Sequence, residues 1–348
     1  MTRQTWTAFV AAVVFVALAA MIAAIPVPFV SWSPGGTHDT LGSVRGGPMI
    51  TVEGIDSYPT TGRLDLTTVA VTRADSRLTL PEAVLSFWLP NRDALPRDSV
   101  YTPGKSVEQV DSEEADLMVT AQDDAVVAAL RAAGQPVTEM PVISSVTVGG
   151  PAHGRLLPGD LVVSVDGRRS TDVDAVGKRI RTHRVGDTVG FVVLRDRVRQ
   201  QVSVTTAASP TASDVAVVGI TLDVGYRYQP RIAFDLGQQI GGPSAGLVFA
   251  LAIYDKITQG PLLQGRHVAG TGGINPTGEV GRIGAVQEKI AAAEEAGATA
   301  FLVPAGNCKD VVGLETDLVL VKVATLEESI AAMRTLAAPD GAARAPRC

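Results

Sequence analysis

A long apolar run near the start of the chain constrains the fold more than any other feature. Residues 6–30 are almost wholly apolar, and no residue between Ala8 and Ile25 is charged. A helix of about 20 such residues spans a lipid bilayer. We therefore expect residues 6–30 to form one transmembrane helix, preceded by a short cytoplasmic segment at residues 1–5.

The charges that flank this run indicate its orientation. Arg3 precedes it, whereas Asp39 comes before Arg45 on the other side. Positive side chains are retained on the cytoplasmic side of a membrane. We therefore expect a single-pass protein of the cell membrane, with its bulk outside the cytoplasm and the lipid bilayer contacted through the N-terminal helix. A cleaved signal peptide is the alternative, since Ala23-Ala24 offers a small-residue cleavage site.

Composition excludes several classes of function. The 348 residues have room for two or three domains, and the net charge of -6 gives no reason to expect a nucleic-acid partner. The four histidines lack ligand spacing, no HExxH motif occurs, and the two cysteines form no CxxC pair. Gly104-Lys105-Ser106 resembles the end of a phosphate-binding loop, but Ser99 stands where that loop needs glycine. We expect no metal and no cofactor.

Residues 33–135 are expected to form an α/β extracytoplasmic domain. Strand-like alternation runs from Leu64 to Val71, and helices are predicted over Thr79–Leu89 and Asp111–Ala133. No motif in this region indicates a chemical role.

Residues 136–207 have a different pattern. Between Pro151 and Gly167 the chain reads Pro-Ala-x-Gly-x-Leu-x-Pro-Gly-Asp-Leu-Val-x-Ser-Val-Asp-Gly. This segment resembles a PDZ domain, which implies a small β domain that takes an extended peptide as an added strand. The usual carboxylate-binding loop is replaced by Glu139-Met140-Pro141. Residues 208–215, rich in Ala, Ser, Pro and Thr, are predicted to be a linker.

A single serine lies among glycines and a proline in the sequence Gly241-Gly242-Pro243-Ser244-Ala245-Gly246, and an apolar run follows. The pattern predicts a tight loop that opens into a buried helix. Free backbone N–H groups at such a helix end suit a nucleophile and a developing oxyanion. A serine that only caps the helix is the alternative.

A serine nucleophile needs a base. His267 is the only histidine in residues 216–337, and nothing in its surroundings marks it. Lys289 follows a glycine-rich run and enters a helix beside the apolar face of Val286, Ile290 and Ala293. Burial can keep a lysine neutral, as a base requires, whereas a surface lysine would have no such role.

Together these stretches resemble the proteolytic domain of the Lon protease family. Gly242–Gly246 matches its Gly-Pro-Ser-Ala-Gly motif, and Gly284–Lys289 matches its Gly-x-x-x-Glu-Lys motif. The resemblance implies an α+β proteolytic domain over residues 216–337, with a C-terminal tail at residues 338–348.

The same resemblance implies the roles of individual residues. Ser244 would be the nucleophile and Lys289 the general base and then the acid, while Thr271 would orient Lys289. The active-site loop and oxyanion site would be formed by Gly242, Pro243, Ala245 and Gly246.

The order of membrane helix, PDZ-like domain and Lon-like domain resembles the bacterial membrane-anchored Lon-like PDZ proteases. It implies an α+β multidomain, ATP-independent serine endopeptidase with a Ser-Lys dyad, acting on unfolded or membrane-proximal extracytoplasmic proteins and peptides. Lon-type domains often assemble as rings, which implies a homo-oligomer. Two alternatives stay open: a PDZ-based scaffold or peptide-binding protein with little proteolysis, and a narrow protease that processes itself or one partner.

The two cysteines suit an oxidising compartment. Our hypothesis is that Cys308 and Cys348 form a disulfide that holds the loop-like C-terminal tail; two free thiols are the alternative.

Overall fold

The chain divides into two compact units in the computed structural model, which describes residues 2–237 and 241–348. One unit is discontinuous and comprises Met1–Gly134 and Pro230–Cys348. The second, the inserted unit, comprises Gln135–Gln229. The described helices and strands are given next in chain order.

The first part of the discontinuous unit contains α1 (Arg3–Ala23), β1 (Pro26–Val27), β2 (Phe29–Asp39), β3 (Ser43–Val44), β4 (Gly47–Pro48), β5 (Ile50–Glu53), β6 (Arg63–Val71), β7 (Leu78–Thr79), α2 (Leu80–Trp88), β8 (Asp93–Pro96), α3 (Arg97–Val100) and α4 (Val107–Ala132). The inserted unit contains β9 (Thr138–Val146), β10 (Leu161–Val165), β11 (Arg168–Arg169), α5 (Val173–Arg181), β12 (Thr188–Arg195), β13 (Val198–Thr205), β14 (Ala207–Ser209), β15 (Ala212–Val217) and β16 (Ile220–Arg227). The second part of the discontinuous unit contains β17 (Arg231–Phe234), α6 (Gly246–Ile257), β18 (His267–Gly270), β19 (Gly273–Ile274), β20 (Val280–Gly281), α7 (Val286–Glu295), β21 (Ala300–Pro304), β22 (Val319–Val323), α8 (Leu326–Ala337) and α9 (Gly341–Arg344).

The N-terminal helix is shorter than the 6–30 segment expected from the sequence. It ends at Ala23, because Pro26 and Pro28 cannot donate the backbone hydrogen bonds that a helix needs. The following residues instead form strands, and Val30 is fully buried. Among the described residues α1 is the one helix long and apolar enough to cross a membrane, although a signal sequence has the same character.

The main sheet joins distant parts of the discontinuous unit. Its strand order is β22-β21-β18-β6-β2-β8, with β22, β21, β18 and β6 parallel and β2 antiparallel to both neighbours. Arg63 of β6 lies opposite His267 of β18. This arrangement differs from the sequence-based division into separate domains at 33–135 and 216–337. Leu64 and Leu66 of β6 are buried, and both lie opposite residues of the later strand β18.

Two helices position the site on this sheet. α6 is apolar on nearly every side and is almost completely buried, and α4 packs against it. α7 packs against β2 and β6. The serine-containing loop precedes α6, and Lys289 lies in α7, so the core itself holds both side chains in place.

The inserted unit has its own sheet, in the order β13-β12-β10-β9-β16, with β11 paired to β10. Its core includes Ile143, Val176 and Phe191. Residues 208–215, predicted to be a linker, lie largely in the β14–β15 hairpin. Strand β16 pairs with β9, so residues 216–229 belong to this unit rather than to the proteolytic domain expected to start at 216. Burial of Val218 in the core explains the difference.

Candidate functional site

Ser244 lies in a 3₁₀ turn, Pro243–Ala245, that leads directly into α6. Gly242 before it has φ +85°, a backbone conformation that favours glycine. The carbonyl oxygen of Ser244 accepts hydrogen bonds from the Gly272 N–H at 2.8 Å and from Thr271 Oγ1 at 3.0 Å. The serine is therefore anchored through its backbone, and its hydroxyl is left for another partner.

That partner is Lys289. Its Nζ atom lies 2.6 Å from Ser244 Oγ and 3.1 Å from Thr271 Oγ1. Its side chain is only 4% exposed. Burial lowers the pKa of Lys289 from 10.5 to about 8, and the charge of Glu288 partly opposes this shift. A lysine with this pKa can lose its proton close to neutral pH and so act as a base.

The start of α7 places Lys289 at the serine. Ala285 caps the helix with φ +55° and ψ +42°, a left-handed conformation that is strained for alanine. The backbone N–H of Lys289 donates to the carbonyl of Ala285 at 3.2 Å. Next to the lysine, burial raises the pKa of Glu288, and the nearby Asp93 carboxyl acts in the same direction.

A cleft of about 490 Å³ opens onto the Ser244–Lys289 pair. One wall is the β6 segment from Leu66 to Val71, and Arg73, Asp111 and Glu114 also line it. Sequence reasoning assigned no role to this region. No local motif could have indicated it, because the strand reaches the serine only through pairing between residues about 200 positions apart.

His267 lies away from the serine. It stands at the start of β18, and its Nε2 is 2.9 Å from Asp65 Oδ2. Thr271, which contacts Lys289, follows the other end of this strand, roughly 13 Å away at about 3.3 Å per residue. Of the two candidate bases, only Lys289 contacts the serine.

The two cysteines are bonded to each other in the structure. The Cα atoms of Cys308 and Cys348 are 5.0 Å apart. The tail is also attached through its backbone, because the Lys322 N–H donates to the carbonyl of Pro346 at 2.9 Å. Residues 338–348 include α9 and a bridge to β22, so the tail is more ordered than the loop expected.

The inserted unit has a groove of its own. It lies between α5 and the edge strand β16, with a volume of about 540 Å³, and Val173, Ile180 and Leu222 line it. Residues 139–141, where the carboxylate-binding loop was expected, are part of strand β9. Within the described residues, no group of three or more His, Cys, Asp or Glu side chains could hold a metal ion.

Two known families match segments of the chain. Residues 110–206 match the PDZ domain, and residues 201–333 match the Lon protease (S16) C-terminal proteolytic domain. The second match contains Ser244, Thr271 and Lys289.

Curated proteins similar to this chain include Lon proteases. A Lon protease of Heliobacterium modesticaldum is 42% identical over 69 residues, which cover 20% of this chain and 8% of that protein. Lon protease 2 of Bacillus subtilis is 35% identical over 101 residues, covering 29% of this chain and 18% of that protein. The chain thus spans less than a fifth of the length of these relatives.

Among solved structures, the PDZ domain of the SdrC-like protein from Listeria monocytogenes is 26% identical. The match covers 24% of this chain and 86% of the Listeria chain, with a TM-score of 0.22.

Proposed function

The chain combines a PDZ domain with a Lon C-terminal proteolytic domain, and we propose that it is a serine endopeptidase with a Ser244–Lys289 dyad. The observation that carries this proposal is the 2.6 Å contact between Lys289 Nζ and Ser244 Oγ. A buried lysine beside a serine at the start of a helix provides both a base and a nucleophile.

The reaction is acyl transfer. Neutral Lys289 accepts the hydroxyl proton of Ser244 as Oγ attacks the peptide carbonyl carbon. The protonated amine then donates that proton to the leaving amine, the C–N bond breaks, and an acyl-enzyme forms. Water, deprotonated by Lys289, releases the acyl group and restores Ser244.

Backbone N–H groups in the serine loop stabilise the oxyanion. The first N–H groups of a helical turn have no partner inside it, and Ser244 lies in such a turn and lines the cleft, which supports its N–H as one donor. Pro243 has no N–H, so the second donor is the neighbouring Gly242. Ala245 and Gly246 continue the chain into α6 and hold this geometry.

The substrate binds as an additional strand on β6. This strand pairs with β18 only as far as Leu66, and its continuation to Val71 borders the cleft. The Thr72 N–H bonds to Ser31 on the β2 side, so the N–H groups of Val69 and Val71 face the cleft by alternation. These groups are available to the backbone of an extended peptide, which explains selection for unfolded segments.

Helix α1 anchors the enzyme in the membrane, with the catalytic domain outside the cytoplasm. Its apolar length and the preceding Arg3 support this arrangement. The PDZ groove between α5 and β16 takes peptide segments of the substrate. Acyl transfer to water consumes no ATP, and the enzyme cleaves segments that are already unfolded without it.

Cleavage of an unfolded protein by the full chain in detergent tests the proposal. We expect Ser244→Ala and Lys289→Arg each to reduce cleavage at least about a thousandfold. Arginine keeps the positive charge but stays protonated, so it isolates the requirement for a neutral base. Lys309→Arg, on an exposed lysine, is the matched control.

Three outcomes would contradict specific parts of the proposal. Equal cleavage by wild type and both variants rules out the dyad. Peptide binding by wild type without cleavage of any unfolded protein favours the scaffold function. A rate that rises on adding ATP contradicts ATP independence.

A further inference from the structure

Helix α2 presents its large apolar side chains to the exterior. Phe87 is 73% exposed and Trp88 77% exposed, and Leu80, Val84 and Leu85 are also exposed. Residues 80, 84, 87 and 88 share one stripe of a helix, and residue 85 lies next to residue 88 at its edge. Its buried positions are instead the small Ala83 and Ser86, and Ser86 Oγ lies 2.9 Å from Ser31 Oγ. This is the reverse of an ordinary surface helix, so the outer stripe needs an apolar partner.

The position of this stripe indicates which partner. Strand β1 pairs with β7, which directly precedes α2, and the Leu80 N–H donates to the carbonyl of Ile25 at 3.2 Å. Helix α2 therefore begins beside the end of α1. The 21 residues of α1 extend about 31 Å at 1.5 Å each, which matches a hydrocarbon core of about 30 Å. The Ile25–Leu80 contact lies at the level where such a core ends.

We propose that the exposed stripe of α2, formed by Leu80, Val84, Leu85, Phe87 and Trp88, lies in the interfacial layer of a lipid bilayer. This inference rests on the proposed anchoring of α1. Tryptophan is enriched at this depth, because its ring is apolar and its N–H is polar. The exposed Arg77 and Arg92 flank the helix and suit anionic headgroups, while Glu82 is used in the helix cap with Thr79.

A second membrane contact limits how the catalytic unit can rotate. One helix anchors a domain but leaves it free to turn about the chain at Ala24. An interfacial helix in the same unit fixes one side of that unit against the lipid. The Ser244 cleft, which belongs to this unit, is then held at a set height above the bilayer.

Fluorescence of the full chain in lipid vesicles tests the proposal. The vesicles contain phosphatidylcholine with phosphatidylglycerol, and a second set carries bromine on the acyl chains. The chain carries Trp6→Phe, which leaves Trp32 and Trp88. We expect brominated lipid to reduce Trp88 emission about twofold, since an interfacial helix lies about 5–10 Å into the headgroup boundary.

The matched control is the Trp6→Phe, Trp88→Phe chain, in which the remaining Trp32 emission should not respond to bromine. Alkaline carbonate extraction separately measures whether α1 is an anchor. A chain retained at the membrane without Trp88 quenching overturns the α2 proposal and leaves the anchor intact. Trp88 quenching in a chain that carbonate extracts supports the α2 contact and overturns the anchor.

The remaining outcomes also decide the question. A chain that is extracted and not quenched overturns both proposals. A second copy of the chain on the stripe would protect Trp88 from bromine and change its emission with protein density at fixed lipid. That result overturns the lipid contact and assigns the stripe to an oligomer.

Discussion

Lys289 Nζ contacts two hydroxyl oxygens at once, at 2.6 Å from Ser244 Oγ and 3.1 Å from Thr271 Oγ1. Thr271 Oγ1 in turn donates to the Ser244 carbonyl at 3.0 Å. The lysine is therefore oriented by a residue that also fixes the serine backbone. The pair is positioned before substrate arrives, and its protonation state controls the reaction.

The first prediction concerns pH. Burial lowers the pKa of Lys289 to about 8, and only the neutral amine can accept the serine proton. We expect kcat/KM to rise with pH and to level off above an inflection near 8. Initial rates on a short fluorogenic peptide, measured between about pH 6 and 10, give this profile. A rate that falls as pH rises through 8 would exclude a neutral lysine base.

Glu288 provides a second prediction, on the same profile. Its negative charge raises the pKa of Lys289, so Glu288→Gln should move the kinetic inflection to lower pH. The matched control is Glu315→Gln, at an exposed position. An unchanged inflection would show that Glu288 does not act on the base, and an inflection displaced to higher pH would contradict the expected sign of its effect.

The buried amine also affects stability. The pKa of Lys289 is about 8 in the folded protein, against an ordinary value of 10.5 for a lysine in the solvated, unfolded chain. The folded state therefore loses the proton first, and stability rises as pH increases from 8 to 10.5. The unfolding free energy gains about 3 kcal/mol, since each unit of difference between the two pKa values contributes about 1.36 kcal/mol.

Denaturant unfolding of wild type and Lys289→Met over this pH range measures the effect. The unfolding free energy of wild type, minus that of Lys289→Met, should increase as pH increases. Lys309→Met, which removes an exposed amine, is the control. Parallel curves for wild type and Lys289→Met would contradict the lowered pKa.

The open part of β6 leads to a prediction about substrate binding. Val69→Pro removes an N–H that faces the cleft and keeps the hydrogen bonds to β2. We expect KM to rise several-fold, on the order of the loss of one hydrogen bond, with little change in kcat. Val69→Ala keeps the N–H and is the control. If both variants have the same KM, the substrate does not pair with this strand.

The disulfide allows a test of the C-terminal tail. Replacing Cys308 and Cys348 by serine should reduce stability by about 2–4 kcal/mol, because the unfolded chain loses its cross-link. Thermal unfolding with and without reductant measures this change. A wild-type chain whose unfolding is insensitive to reductant would contradict a stabilising bond.

The sequence predicts most accurately those features that short local patterns determine. The Gly242–Gly246 and Gly284–Lys289 motifs each lead into a helix, and Lys289 Nζ lies 2.6 Å from Ser244 Oγ in the structure. The helix predicted over Thr79–Leu89 is confirmed at Leu80–Trp88, with Thr79 as its cap. These features depend on residues within a few positions of one another.

The features that the sequence does not predict depend on residues far apart in the chain. The sequence predicts a separate domain at 33–135, because nothing in β6 shows that it pairs with β18. For the same reason the sequence does not indicate that β6 forms a wall of the cleft. Residues 208–215 have the composition of a linker, yet they form a hairpin in which Ala216 pairs with Ala208 and is buried, and the buried Val218 follows it.

The parallel pairing of β6 with β18 also has a consequence for biosynthesis. Strand β6, which contains Arg63, cannot pair with β18 until His267 has been synthesised. At a synthesis rate of about 5–20 residues per second, this delay is on the order of 10–40 seconds. The inserted unit has a continuous sequence that ends at Gln229, so it can begin to fold during that delay. The active site can therefore be completed only after the whole inserted unit has been synthesised, because Lys289 follows Gln229 in the chain.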